Sequence, residues 1–242
     1  MRYLFITIVG LSLLLWLAGC ARYPTGNELG PNIPPLTLYS EITLADNIKP
    51  NHYYFMALNT DGTSQGPVPV IAGIGFGNGW GTISGTGPND PVRQPPFFVE
   101  YYNGTFTQYR VNPATGVAES LGTPYRGQIL AADRTPSIIG PIITVEVDAR
   151  QIMPTGVALP SFVQLNWITM ERIAQNPQEI GVSQQYDGFG ADGNLYFQVP
   201  FDQTGPWISG VGSIPPQPSK NTLRPDTQDL NIINWRVEVR RQ

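Results

Sequence analysis

This sequence predicts an all-β chain: a single antiparallel β-sandwich, jelly-roll or immunoglobulin-like in arrangement, with at most short helices. Three observations predict it. The chain carries 26 Gly and 24 Pro in 242 residues, a load that opposes long helices and suits turn-rich strands. Several stretches alternate apolar and polar residues with a period of two, the signature of a strand with one buried face. Finally, Asn103-Gly104 separates two aromatic-rich runs, and Asn-Gly supplies the positive φ angles of a two-residue hairpin turn.

The N-terminus is a separate problem. Arg2 precedes an apolar run from Leu4 to Leu17, followed by Ala18, Gly19 and Cys20, the lone cysteine. A basic residue, a short apolar core and small residues before a cut site read as a secretory signal. The run is short of the roughly 20 apolar residues that an uncleaved membrane helix needs. Leu17-Ala18-Gly19-Cys20 resembles the lipobox of bacterial lipoproteins. The resemblance implies a diacylglycerol on the Cys20 sulfur, cleavage before Cys20 and acylation of the new amino group. Several acyl chains make a stable membrane anchor where one binds only marginally. Ala21 resembles the residue that, in diderm bacteria, accompanies sorting to the outer membrane. The expected location is therefore the bacterial cell envelope, outside the cytoplasm. Residues 1–19 are the signal, and 20–35 are the lipidated cysteine and a tether. Residues 36–242 are the sandwich. The tether, Ala21 to Pro35, holds four prolines and two glycines without an apolar period and should be extended.

The strands follow in order. Leu36–Leu44 is the first. Tyr53–Thr60 is apolar on both faces, as a central strand covered on both sides would be. Phe97–Tyr102 and Thr105–Val111 form the hairpin, which places Tyr101 opposite Phe106 and Phe98 opposite Tyr109. Ile143, Val145, Val147 and Ala149 share a face, as do Val163, Leu165 and Trp167, then Leu195, Phe197 and Val199, then Ile233, Trp235, Val237 and Val239. Each set alternates with polar residues that should be wet. The best helix is short, Met170–Gln175, stopped near Pro177.

Tyr54–Gly62, Val145–Asp148, Phe162–Thr169, Tyr196–Val199 and Asp229–Val239, in that order, resemble the β-sandwiches of family-nine carbohydrate-binding modules and the related DOMON domains. The resemblance spans roughly Leu36–Gln242 and implies a ligand-binding sandwich. None of that family's sugar-clamping or metal-binding residues maps onto a position here.

Charge and motifs narrow the function. A net charge of −4 with 13% charged residues argues against a nucleic-acid partner, which needs a basic stripe. With Cys20 acylated, the domain has no thiol for a disulfide or for zinc. Gly73–Gly81 places glycine at every second residue, which fails the dinucleotide fingerprint and the phosphate loop. Such a bare face lets a backbone or a flat ring approach closely. Asp187–Asn194 has two Asp-Gly turns but misses the calcium-loop spacing at Phe189 and Ala191. No cofactor is expected, and calcium is left open only through backbone carbonyls. His52 is the single histidine and no G-x-S-x-G accompanies it. Haem held by His52 with Met56, Met153 or Met170 lacks any feature bringing them together. Glu100, Glu146, Asp148 and Glu171 lie in or near strands, but among 18 acidic residues some pair is always near enough for glycosidase chemistry.

Among the tryptophans, Trp167 and Trp235 sit on apolar faces and belong to the core. Trp80 and Trp207 sit among Gly and Pro, where rings can stack on sugars while Asn or Gln satisfy hydroxyls. The ligand site expected from sequence is Asn78, Trp80 and Trp207, for a saccharide or another small polar ligand. The leading function is a non-catalytic binding module. The alternatives are a structural or assembly lipoprotein contacting another envelope protein, and a hydrolase with unassigned acids.

Overall fold

The structure, a computed structural model, describes residues 34–60, 66–69, 80–83, 92–93, 96–112, 117–173, 185–190, 195–208 and 225–241. Its strands are β1 (Leu36–Leu44), β2 (Tyr53–Asn59), β3 (Val68–Pro69), β4 (Trp80–Ile83), β5 (Val92–Arg93), β6 (Phe97–Tyr102), β7 (Thr105–Val111), β8 (Ala118–Gly122), β9 (Arg126–Leu130), β10 (Pro136–Ser137), β11 (Ile142–Asp148), β12 (Phe162–Met170), β13 (Tyr186–Gly188), β14 (Phe197–Pro200), β15 (Trp207–Ile208) and β16 (Ile232–Arg241). One sheet has the order β10-β9-β11-β1-β16-β15. The second has the order β13-β12-β2-β6-β7-β8, with β14 also paired to β12. All these pairs are antiparallel. The fold is thus an all-β sandwich, with a small sheet β3-β4-β5 beside it. The opening strand β1 lies between β11 and the closing strand β16, so the two ends of the domain's sequence lock together in mid-sheet.

The principal core fills the space between the sheets. Leu38, Ile42, Val145, Val147, Val237 and Val239 enter from the first sheet, and Tyr54, Met56, Leu58, Leu165 and Trp167 from the second. Trp167 and Trp235 are buried as expected. The Trp235 ring packs between Phe189 and Phe197, at 5.4 and 5.1 Å. Trp167 Nε1 donates to Ser40 Oγ at 2.7 Å, tying β12 to β1 across the core.

The hairpin has the expected register, Tyr101 opposite Phe106 and Phe98 opposite Tyr109. Asn103 and Gly104 take φ of 50° and 79°, as a type I′ turn requires.

Three expectations are corrected. The polar faces of β11 and β12 are not wet: Glu146 is 3% exposed, Gln164 1% and Asn166 0%. Sheet two is buried on its outer side as well, where Phe55, Ala57, Phe98, Val111, Ile168 and Met170 make a second apolar cluster. Asn166 stays satisfied there by donating to the Pro67 carbonyl (2.8 Å) and accepting from Phe189 N–H (2.9 Å).

The second correction concerns the ends of two strands. Ile233 is 51% exposed, and Ile232 is buried in its place. The register shifts between Thr43 and Leu44, so a bulge inserts one residue and changes which side chains face inward. Leu195 is likewise 45% exposed, because β14 starts only at Phe197.

Third, no helix begins at Met170, which closes β12. The residues Glu171–Ile173 are not helical, and Gln175 lies outside the described residues. The α-helix that is described, α1 (Ala149–Ile152), is capped by Asp148, which accepts from Arg150 N–H. No helix among the described residues is long and apolar enough to cross a membrane.

Candidate functional site

The outer face of the second sheet carries a strip of aromatic rings around one carboxylate. Pairing sets Phe55 opposite Glu100, Glu100 opposite Thr107, and Phe98 opposite Tyr109. Side chains two apart on a strand share a face. Glu100 therefore lies between Phe98 and Tyr102 along β6, and between β2 and β7 across the sheet. Tyr53 and Tyr102 stack at 4.1 Å with planes 2° apart. Tyr53 is nearly parallel to Phe55 at 6.0 Å, Phe55 meets Phe98 edge-on at 6.2 Å, and Phe98 stacks on Tyr109 at 4.7 Å.

The strip is half open. Phe55 and Phe98 are buried, Tyr53, Glu100 and Tyr109 are half-buried, and Tyr102 is exposed. Burial pushes the Glu100 carboxyl above the usual carboxylate range. Burial, a hydrogen bond with Tyr102 and the nearby Tyr102 and Glu100 charges push the Tyr53 hydroxyl up to about 12. Tyr109 is raised by burial and by Glu100. No ion pair or hydrogen bond to Glu100 occurs among the described residues.

A half-buried, uncompensated charge works against folding. Glu100→Gln should therefore raise the melting temperature at neutral pH. Its raised pKa means the native state holds the proton more tightly than the unfolded chain, so ionisation costs stability as pH rises. The gain should shrink to nothing below pH ~4, where the carboxyl is protonated in both states. Thermal melts of both proteins across pH check this.

A second polar group closes one end of the sandwich. Asp229 is fully buried in the 3-10 segment Pro225–Leu230 before β16. Its Oδ2 lies 2.6 Å from His52 Nδ1 and accepts from Tyr54 Oη at 2.7 Å. Lys49 Nζ lies 3.2 Å from its Oδ1 and also donates to the Asp226 carbonyl. Tyr54 Oη in turn accepts from Lys49 N–H at 2.9 Å. The group joins the start of β2 to the approach to β16. Its His-Asp pair has the form that orients a general base, but no nucleophilic hydroxyl bonds to His52 among the described residues. Its geometry is that of a clasp between the sheets.

The outer face of the first sheet is a network of charges. Glu146 accepts from Thr37 at 2.7 Å and faces Arg240 at 3.4 Å and Arg126 at 3.8 Å. Arg134 grips both oxygens of Glu41 at 3.0 and 2.6 Å, and the Arg240 guanidinium sits 3.9 Å from the centre of the Tyr39 ring. Among the described residues, the charges on this face stand in opposite-sign pairs.

Of the residues expected from sequence, Trp207 alone is described with its side chain. Cys20 and Asn78 lie outside the described residues, as do 1–33 and the glycine-rich run 71–79. Trp80 is described only as backbone in β4, whereas Trp207 is in β15, at the other sheet's edge. The Trp207 ring is half-buried and packs 5.6 Å from Phe197. Asp187 is fully buried and accepts from Ile232 N–H at 2.8 Å, and Phe189 beside it is in the core, so this part of the Asp-Gly stretch serves packing. No group of three or more His, Cys, Asp or Glu that could hold a metal occurs among the described residues.

Sequence reasoning passed over Glu100 as one carboxylate among many and Asp229 altogether. The signal for the first was present: the predicted hairpin register already put Glu100 among aromatic neighbours. No family model, curated protein or solved structure matches this chain.

Proposed function

We propose that this protein is a bacterial envelope lipoprotein, anchored through Cys20, whose sandwich is a non-catalytic module binding a saccharide on the tyrosine strip. One observation carries the binding reading: the exposed Tyr102, stacked on Tyr53 beside the half-buried Glu100. Aromatic faces cover the apolar C–H surface of a sugar ring, and tyrosine hydroxyls and a carboxylate can meet its hydroxyls. The strip stands on three paired strands, so little ordering of the site is needed on binding. The set expected from sequence, Asn78, Trp80 and Trp207, is the second candidate.

The anchoring reading rests on the lipobox. Radiolabelled palmitate fed to cells making the full chain should enter the protein, and Cys20→Ala should abolish both the label and membrane association. Label that persists in Cys20→Ala would refute the anchor.

One observation favours the alternative of an assembly lipoprotein contacting another envelope protein. Ile138 and Ile139 are 85% and 52% exposed on a turn held by Ser137, whose Oγ accepts from Ile139 N–H at 3.1 Å. Exposed isoleucines on an ordered turn are a ready protein contact.

A further inference from the structure

We infer that the tyrosine strip selects a saccharide bearing a protonated amine, an amino sugar, with Glu100 as the counter-charge. The inference rests on the saccharide reading and adds the ligand's charge to it. Four of the five buried carboxylates among the described residues face a cation: Glu41 faces Arg134, Glu146 faces Arg240, Asp148 faces Arg150, and Asp229 faces Lys49 and His52, while the fifth, Asp187, accepts from the Ile232 N–H. Glu100 differs. It is half-buried with no cation against it among the described residues, flanked by Phe98 and Tyr102 along its strand, by Phe55 on β2 and by Thr107 on β7. Ring faces carry negative potential and attract ammonium groups, most strongly where water is excluded. A carboxylate set among them adds charge of the same sign, so the site is complementary to a cation and hostile to an anion. The exposed Tyr102 supplies the opening through which a ring could stack, and its amine would then reach inward toward Glu100.

The test titrates the full chain, in detergent micelles, with an oligomer of glucosamine and with its fully N-acetylated counterpart, read by calorimetry. The two probes share the ring and differ in the charge. A lysine oligomer of equal charge is the third probe. The amine-bearing oligomer should bind about tenfold more tightly than the acetylated one, the scale of a partly desolvated cation–aromatic contact. Glu100→Gln, with folding verified by circular dichroism, should bring the two affinities together. Equal affinities in the unmutated chain would overturn the inference while leaving the saccharide reading intact. Equal binding of the lysine oligomer would also overturn it, because charge alone would then suffice. Binding of neither oligomer would overturn the inference, and the saccharide reading would fall with it only if other polysaccharides also failed to bind.

Discussion

Asp229→Ala should destabilise the domain by about 3–5 kcal/mol, the cost of removing one partner from a buried charged group. Asp229 is inaccessible to water, and its carboxylate serves the His52 ring, the Tyr54 hydroxyl and the Lys49 ammonium. Alanine strands two buried polar groups on β2 and its approach, in a place where water cannot replace the lost acceptor. It also cuts the link between the second sheet and the segment leading into β16. His52→Ala should cost less, because Asp229 keeps Tyr54 and Lys49. The pH dependence has a definite sign. Burial alone would raise the Asp229 pKa. The hydrogen bonds from His52 and Tyr54, with the attraction of His52 and the Lys49 bond, outweigh it and hold the carboxyl below its usual range. The group's contribution is therefore complete above the unfolded value near pH 3.9 and is lost as pH falls through the lower folded value. Urea titrations of the unmutated protein and Asp229→Ala at neutral and acid pH check both statements: the difference between the two proteins should narrow in acid.

Trp167→Ala should cost about 3–5 kcal/mol by opening a cavity in the centre of the core. The ring is 1% exposed, on a strand flanked by β2 and by β13 and β14. Its indole N–H also satisfies Ser40 on the facing sheet. Trp167→Phe separates the two contributions: it keeps most of the ring and leaves the Ser40 hydroxyl without this donor. A loss of about 1–2 kcal/mol is expected for it. Denaturant unfolding of the pair measures the volume and hydrogen-bond effects in one position.

The elements that sequence made legible are those whose signal is local. β1 runs from Leu36 to Leu44 as expected, and the Asn103-Gly104 turn sets every pair of the β6–β7 hairpin. β2 was apolar on both faces and is covered on both. The same inference could not be made for β11 and β12, whose Thr144, Glu146, Gln164 and Asn166 look like solvent-facing residues. They are buried because partners far along the chain satisfy them, as when Thr37 bonds Glu146 and Pro67 bonds Asn166. Ile233 was misassigned because a bulge has no local signature in an unbroken apolar-polar alternation. The clasp joins His52 to Asp229 across 177 residues, a separation at which only the folded pairing of β1 with β16 brings the groups together. The tyrosine strip lies between these extremes. Its rings were legible in the hairpin, whereas their union with Tyr53 required the pairing of β2 with β6.

The measurement that tests the central claim most directly is a calorimetric titration of the protein with a panel of polysaccharides, with Tyr102→Ala and Trp80→Ala alongside. The account predicts saturable binding that falls about five- to tenfold in Tyr102→Ala, the loss of a stacking contact of about 1–1.5 kcal/mol, and persists in Trp80→Ala. Absence of binding across the panel, or binding that Tyr102→Ala leaves intact and Trp80→Ala abolishes, would contradict it.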